Sequence, residues 1–156
     1  PTARVRALRR DDGELLEQIM AAMSAQSRYQ RFHAPKSRLT RSERAHLTNV
    51  DEEHHIAAIA LADDGSPVGV ARVLRLGGHS ASGEVAVAVV DAWQGRGVGQ
   101  QLLANIRSRA CAMGLQELVA MVLSGTRLVR SLERRGWKVH RRDGTVTTLV
   151  TPTCCC

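Results

Sequence analysis

Residues 84–123 constrain the fold more than any other stretch. "EVAVAVVD" (84–91) reads as a strand with apolar residues on both faces, the mark of a position inside a sheet. Gly95, Gly97 and Gly99 follow it. Val98, Leu102, Leu103, Ile106, Ala110 and Met113 then recur at helical spacing, and Gly114 stands where a C-terminal cap belongs. "ELVAMVL" (117–123) is a second buried strand. Strand, crossover helix and strand in this order predict a mixed α/β domain.

The other segments fit around that unit. "RVRALR" (4–9) alternates as a first strand. "DDGELLEQIMAAM" (11–23) reads as a helix capped by Asp11, with Leu15, Leu16, Ile19, Met20 and Met23 on one face. Residues 24–39 are polar, contain the breaker Pro35 and read as irregular; they hold Tyr29 and Phe32. "TRSE" (40–43) is a capping box that opens a helix to about Thr48. "HIAAIALA" (55–62) and "VGVARVLRL" (68–76) flank the turn signal "DDGSP" as a hairpin. "GGHSASG" (77–83) is a flexible connection. "TRLVRSLERRG" (126–136) is a short helix ended by glycine, and "WKVH" and "TVTTLV" form a last pair of strands about Asp143-Gly144. The expected order is β-α-α-β-β-β-α-β-α-β-β: one domain over 1–151, then a frayed tail over 152–156.

At 156 residues the chain can bury a core without staples. Its apolar runs fall far short of the roughly 20 residues that span a bilayer, and "PTARVRALRRDDGELL" has no signal-peptide core. The expectation is a soluble, cytoplasmic protein with no membrane partner. Net charge is +7, and all but two of the 22 basic residues are arginine, the exceptions being Lys36 and Lys138. That charge suits either an acidic partner or a solvated arginine surface. The arginines are spread along the chain without interleaved aromatics, which argues against nucleic acid. Cys111 falls in the helical pattern and reads as buried. Cys154, Cys155 and Cys156 make no disulfide framework with one distant partner, and "TPTCCC" offers no further ligands, so no metal is expected.

The glycines at the strand–helix corner have a physical use. The first four N–H groups of a helix lack internal partners and carry the positive end of its dipole. Glycine removes the Cβ that would hold an anion away and permits the φ > 0 of an anion nest. Each N–H to a charged oxygen contributes roughly 1.5–3 kcal/mol, so four or five can hold a pyrophosphate. Arg96 adds a formal charge there. A dinucleotide fingerprint would need glycine at 100, where Gln100 stands, and an ATP-binding loop would need Gly-Lys.

The pattern present is Q-x-x-G-x-G: Gln94, Gly97 and Gly99. In this pattern and in its element order, from residue 4 to about 150, the chain resembles the GNAT superfamily of acyl-CoA-dependent N-acetyltransferases. "SRYQRF", "VDEEHH" and "GEVAVAVVDAWQGRGVG" further resemble the catalytic domain of bacterial protein lysine acetyltransferases. Some of those carry a cyclic-nucleotide-binding domain; this chain has no room for one, so direct regulation by cyclic nucleotide is not expected. The resemblance implies a GNAT fold whose central strands splay around acyl-CoA, with acetyl-CoA as cosubstrate. Main-chain amides of Gln94, Gly95, Arg96, Gly97, Val98, Gly99 and Gln100 would take the pyrophosphate. Backbone groups of Val89 and Val90 would pair with the pantetheine arm, and the N–H near Val90 would polarise the thioester carbonyl. The implied reaction is acetyl transfer to a primary amine, a protein lysine ahead of a small-molecule amine. A CoA-binding module without turnover is the alternative, and monomer and homodimer both stay open.

A lysine-like amine must lose a proton before it attacks, at a cost of roughly 4.6 kcal/mol at pH 7. The resemblance puts the catalytic base at Glu84, with Glu52, Glu53, His54 and His55 as rivals. His33, beside Phe32, could line the acceptor cleft. Tyr29 and Phe32 either pack an acceptor's alkyl chain or anchor their segment to the core. Arg28 and Arg31 would favour an acidic acceptor surface. Many relatives have a tyrosine in the last helix that protonates the leaving thiolate; Leu132 stands there, and Gly125 stands where an asparagine is common.

Overall fold

Seven segments of the chain pair into one sheet, and helices pack on both of its faces. The computed structural model describes residues 2–77 and 80–154. In order these form β1 (Arg4–Ala7), α1 (Gly13–Ala22), α2 (Ala25–Phe32), α3 (Arg41–Thr48), β2 (His55–Leu61), β3 (Pro67–Arg75) and β4 (Ser82–Val89). A single 3-10 turn (Asp91–Trp93) leads to α4 (Val98–Ala112), then β5 (Glu117–Leu123), α5 (Arg127–Arg134), β6 (Lys138–Arg142) and β7 (Val146–Pro152). The strand order is β1-β2-β3-β4-β5-β7-β6. Only β4 and β5 run parallel, as a crossover helix requires. This is the mixed α/β fold expected.

The pleat decides which helix covers which residue. A Cβ on Gly69 or Gly99 would meet Leu102 and Val98, or Val87 and Val89, so odd-numbered residues of β3 and β4 face α4. Leu102, Ile106 and Ala110 of α4 are fully buried there. Even-numbered residues face α1, α2 and α3: Arg72 of β3 donates to the carbonyl of Leu47 in α3 at 2.9 Å. On β5 the side chains of Leu118, Ala120 and Val122 are buried, whereas Met121 between them is 46% exposed. Among the described residues the face that carries Met121 is covered less fully, α2 reaching over it only as far as β5.

Four expectations need correction. Residues 24–39 are not irregular throughout, because Ala25–Phe32 is a helix. Ser24 caps it by accepting the Ser27 N–H at 3.1 Å, and the Arg28 guanidinium donates to the carbonyls of Met20, Met23 and Lys36. None of its residues is fully buried, so it carries no apolar period to read. The position before α1 is Asp12 rather than Asp11, and its carboxylate does not cap. It pairs with Arg6 at 2.7 and 2.9 Å and accepts the Arg9 N–H. Finally, residues 152–154 are not frayed. Pro152 belongs to β7, Thr153 is buried and donates to the carbonyl of Leu115, and Cys154 is disulfide-bonded to Cys111 with Cα atoms 5.8 Å apart. Cys111 is only half-buried. Cys155 and Cys156 lie outside the described residues, as do Gly78 and His79 of the connection before β4.

The capping box of α3 is present in both directions, Thr40 Oγ1 accepting from the Glu43 N–H and Glu43 Oε1 from the Thr40 N–H. Among the described residues, no helix is long and apolar enough to cross a membrane.

Candidate active site at the opening between β4 and β5

β4 and β5 pair over only four positions, from Ser82–Glu117 to Val85–Ala120. Beyond them β4 stays bonded to β3 as far as Val89, and β5 to β7 as far as Leu123. The two strands therefore part after Val85. Main-chain groups in an antiparallel pair point alternately to one neighbour and the other. Val90 donates its N–H to Val68 of the β3 side at 2.9 Å, and Ser82 accepts the Leu76 N–H at 2.9 Å, so even-numbered residues of β4 bond β3. The N–H and C=O groups of Val87 and Val89 thus face the opening. Val89 O also accepts Gln94 Nε2 at 3.0 Å. Val90 does not serve as expected: its N–H is given to Val68, and its carbonyl accepts the Trp93 N–H. The main-chain groups of Val87, which the sequence reading did not name, face the opening instead; counting two residues back from Val89 along the pleat would have found them.

The glycine corner stands at the wide end. Gly95 and Gly97 have φ of +76° and +84°, and Gly97 occupies the N-cap of α4 without any side-chain cap. A Cβ on either would meet nothing within 4 Å, so the glycines answer to backbone conformation and leave open space above the amides. The N–H groups of residues 95–100 make no hydrogen bond among the described residues, and the first helical bond begins with Gln101 N–H to Gly97 O at 3.1 Å. Gln94 differs from the expectation, because its N–H already donates to Asp91 O at 3.2 Å. Val98 is 3% exposed, so its side chain anchors the corner in the core while its amide faces out. The Arg96 guanidinium lies 5.1 Å over the Trp93 ring. Sequence reading also missed what holds the corner to α2. The Asp91 carboxylate accepts the Ser24 N–H at 2.9 Å, and Gln94 Nε2 donates to Ser27 Oγ at 3.2 Å. Both links join residues 67 apart, beyond any local pattern.

At the narrow end is Glu84. It is half-buried, pairs in register with Leu74 and Val119, and points to the α2 side of the sheet. Its carboxylate makes no hydrogen bond among the described residues. Arg31 of α2 is the nearby cation: burial pulls the Arg31 pKa down, and the Glu84 charge pulls it back up. Arg72 lies on the same face and is 3% exposed; burial and then the Arg31 charge lower its pKa, and the guanidinium stays charged at neutral pH.

The rivals of Glu84 are engaged elsewhere. Glu52 makes a two-pronged pair with Arg109 of α4 at 3.0 and 3.1 Å. Glu53 is exposed in the turn before β2. His54 Nδ1 lies 3.3 Å from Asp51. His55 is buried, with Nδ1 donating to Asn49 O at 3.1 Å and Nε2 accepting from Arg72 at 2.9 Å. Burial, then the Arg72 charge, push its pKa down to about 4, so it is a neutral structural histidine. Tyr29 is 47% exposed, whereas Phe32 packs on the core beneath Arg31 and Lys36. His33 closes α2 with φ of 57°. Arg28 is taken up by three carbonyls, and Arg31 lies over the Phe32 ring beside Glu84. Leu132 is buried, so α5 presents no acid at that position.

A carboxylate at the narrow end, a parted strand pair and free amides at the following helix N-terminus thus succeed one another along β4 and the corner after it. The acetyltransferase (GNAT) domain family matches residues 52–143. The chain belongs to the GNAT acetyltransferase family. It is 32% identical over 121 residues to Acetyltransferase Pat of Mycolicibacterium smegmatis, covering 77% of this chain and 36% of that protein. The chain thus spans about a third of that relative's length. The crystal structure of the GNAT domain of S. lividans PAT matches with a TM-score of 0.90 and 31% identity, over 97% of this chain and 91% of that one. A GNAT phosphinothricin acetyltransferase from Sinorhizobium meliloti, solved in complex with AcCoA, shares the fold with a TM-score of 0.78 at 15% identity, over 97% and 89% of the two chains.

Proposed function

We propose that this GNAT domain transfers an acetyl group from acetyl-CoA to a primary amine, with a protein lysine as the acceptor. The observation that carries the reading is the succession of Glu84, the edge of β4 that parts from β5, and the six open amides of residues 95–100. Those amides suit a pyrophosphate. The N–H and C=O groups of Val87 and Val89 suit an amide-bearing arm lying as a strand neighbour, which would bring a thioester to the apex.

The step begins when Glu84 accepts a proton from the ammonium, directly or through one water. The amine nitrogen then attacks the thioester carbonyl carbon. The tetrahedral intermediate collapses, the C–S bond breaks, coenzyme A leaves as a thiolate, and the second proton of the former amine nitrogen passes to water or to that thiolate. Thiols have pKa values near 8.5, so departure without a protein acid is tolerable where Leu132 supplies none. The partly open sheet face beside Glu84, which leaves room for a large acceptor, supports a protein lysine over a small amine.

Coenzyme release with a panel of amines tests the reading. Glu84→Gln should lower turnover at neutral pH by about 10²–10⁴-fold, the usual worth of a general base, with coenzyme A affinity near wild type. Unchanged turnover would remove Glu84 from the mechanism. Tight coenzyme A binding with no turnover of any amine would favour the module without catalysis, which the apolar Leu132 otherwise recommends.

A further inference from the structure

Beyond α2, the face of β5-β7-β6 that adjoins Glu84 is partly open among the described residues and has a definite charge pattern. Register carries one row straight across it: Glu84, Val119, Val150 and Lys138, all on the same face. The next row is Met121, Thr148 and Arg141. Met121 is 46% exposed and Val119, Val150 and Thr148 are half-buried, so the floor is apolar and accessible. Lys138 and Arg141 are exposed along the outer strand and have no ion-pair partner among the described residues. The carboxylates nearby are taken up. Glu117 accepts from Ser82 Oγ at 3.4 Å, and Asp143 accepts the N–H groups of Thr145 and Val146. Arg142, by contrast, pairs with Glu133 of α5.

We propose that this face docks an acidic segment of the protein acceptor, its carboxylates against Lys138 and Arg141 and its target lysine over Glu84. The assignment rests on the acetyl-transfer reading above and adds to it which acceptors are chosen. The row fixes a spacing. Three inter-strand steps separate Glu84 from Lys138, about 14 Å, which about four extended residues span. The segment therefore carries its Asp or Glu about four positions from the acetylated lysine.

Binding and turnover read separately make the test decisive. Short fluorescent peptides would carry one lysine with Glu four positions away, Glu adjacent to it, or Arg four positions away. Anisotropy is read in the presence of coenzyme A at low and at physiological salt. The peptide with Glu at four positions should bind at least about fivefold tighter than the Arg peptide, with the difference shrinking as salt rises. Lys138→Glu combined with Arg141→Glu should invert that order; its melting temperature and coenzyme A affinity report that it is folded. Equal binding of all three peptides, or an unchanged order in the double variant, overturns the docking surface whether or not amines are acetylated. Correct selection without acetylation of any peptide leaves the surface standing and overturns the catalytic reading. Sedimentation showing a dimer that the double variant dissociates assigns the face to a second copy and overturns the proposal.

Discussion

Gly97→Ala separates what the glycine corner does for folding from what it does for binding. Gly97 sits at φ +84° with nothing within 4 Å of the position its Cβ would take. The substituted protein meets no clash and bears only the strain of an L-residue in the left-handed region, about 1–2 kcal/mol. For a domain of this size that corresponds to a fall of about 2–8 °C in melting temperature. The effect on coenzyme A is larger. If the new methyl holds one phosphate oxygen off one amide, about 1.5–3 kcal/mol is lost, roughly ten- to hundredfold in Kd. Gly65→Ala is the control, because Gly65 has φ +85° and the same open surroundings in the β2–β3 turn, away from the opening. Calorimetry with coenzyme A and thermal melts of both variants decide the matter. Both should melt lower by similar amounts, and only Gly97→Ala should weaken coenzyme A. Equal coenzyme A affinity in the two variants would refute the anion-nest argument.

Three other substitutions report on the scaffold. Cys111→Ser opens the bridge to Cys154 across a sequence separation of 43, worth at most about 4 kcal/mol by chain entropy; reductant should bring wild type to the variant's melting temperature and leave the variant unmoved. His55 is held neutral with a pKa of about 4, below the ordinary 6.5, so the unfolded chain binds more protons between those values. Its contribution is complete above pH 6.5 and fades as pH falls toward 4, by no more than about 1.4 kcal/mol per pH unit, and denaturant titrations of His55→Gln should show a flatter profile there. Gly83→Ala would set a Cβ 2.5 Å from Val73 Cγ1 and 2.8 Å from Leu115 Cδ1, an overpacking cost of about 1–3 kcal/mol readable by urea unfolding.

The sequence by itself determined the unit that builds the opening. A two-sided apolar strand, three glycines and a periodic helix are local signals, and local signals survive without tertiary context, so β4, α4 and β5 fall within two residues of where they were read. The capping box of α3 is legible for the same reason. Only the tertiary structure decided the rest, because the deciding contacts join residues remote along the chain. α2 folds with no apolar stripe, held by Arg28 to carbonyls on both sides and by Ser24 and Ser27 to the glycine corner 67 residues on. The main-chain groups of Val87, not those of Val90, face the opening because hydrogen bonds to β3 fix the phase of β4's pleat, and no single strand states its own phase. Cys154 finds Cys111 because β7 runs antiparallel to β5 and ends beside the end of α4, an adjacency that exists only once the sheet has closed over the helix.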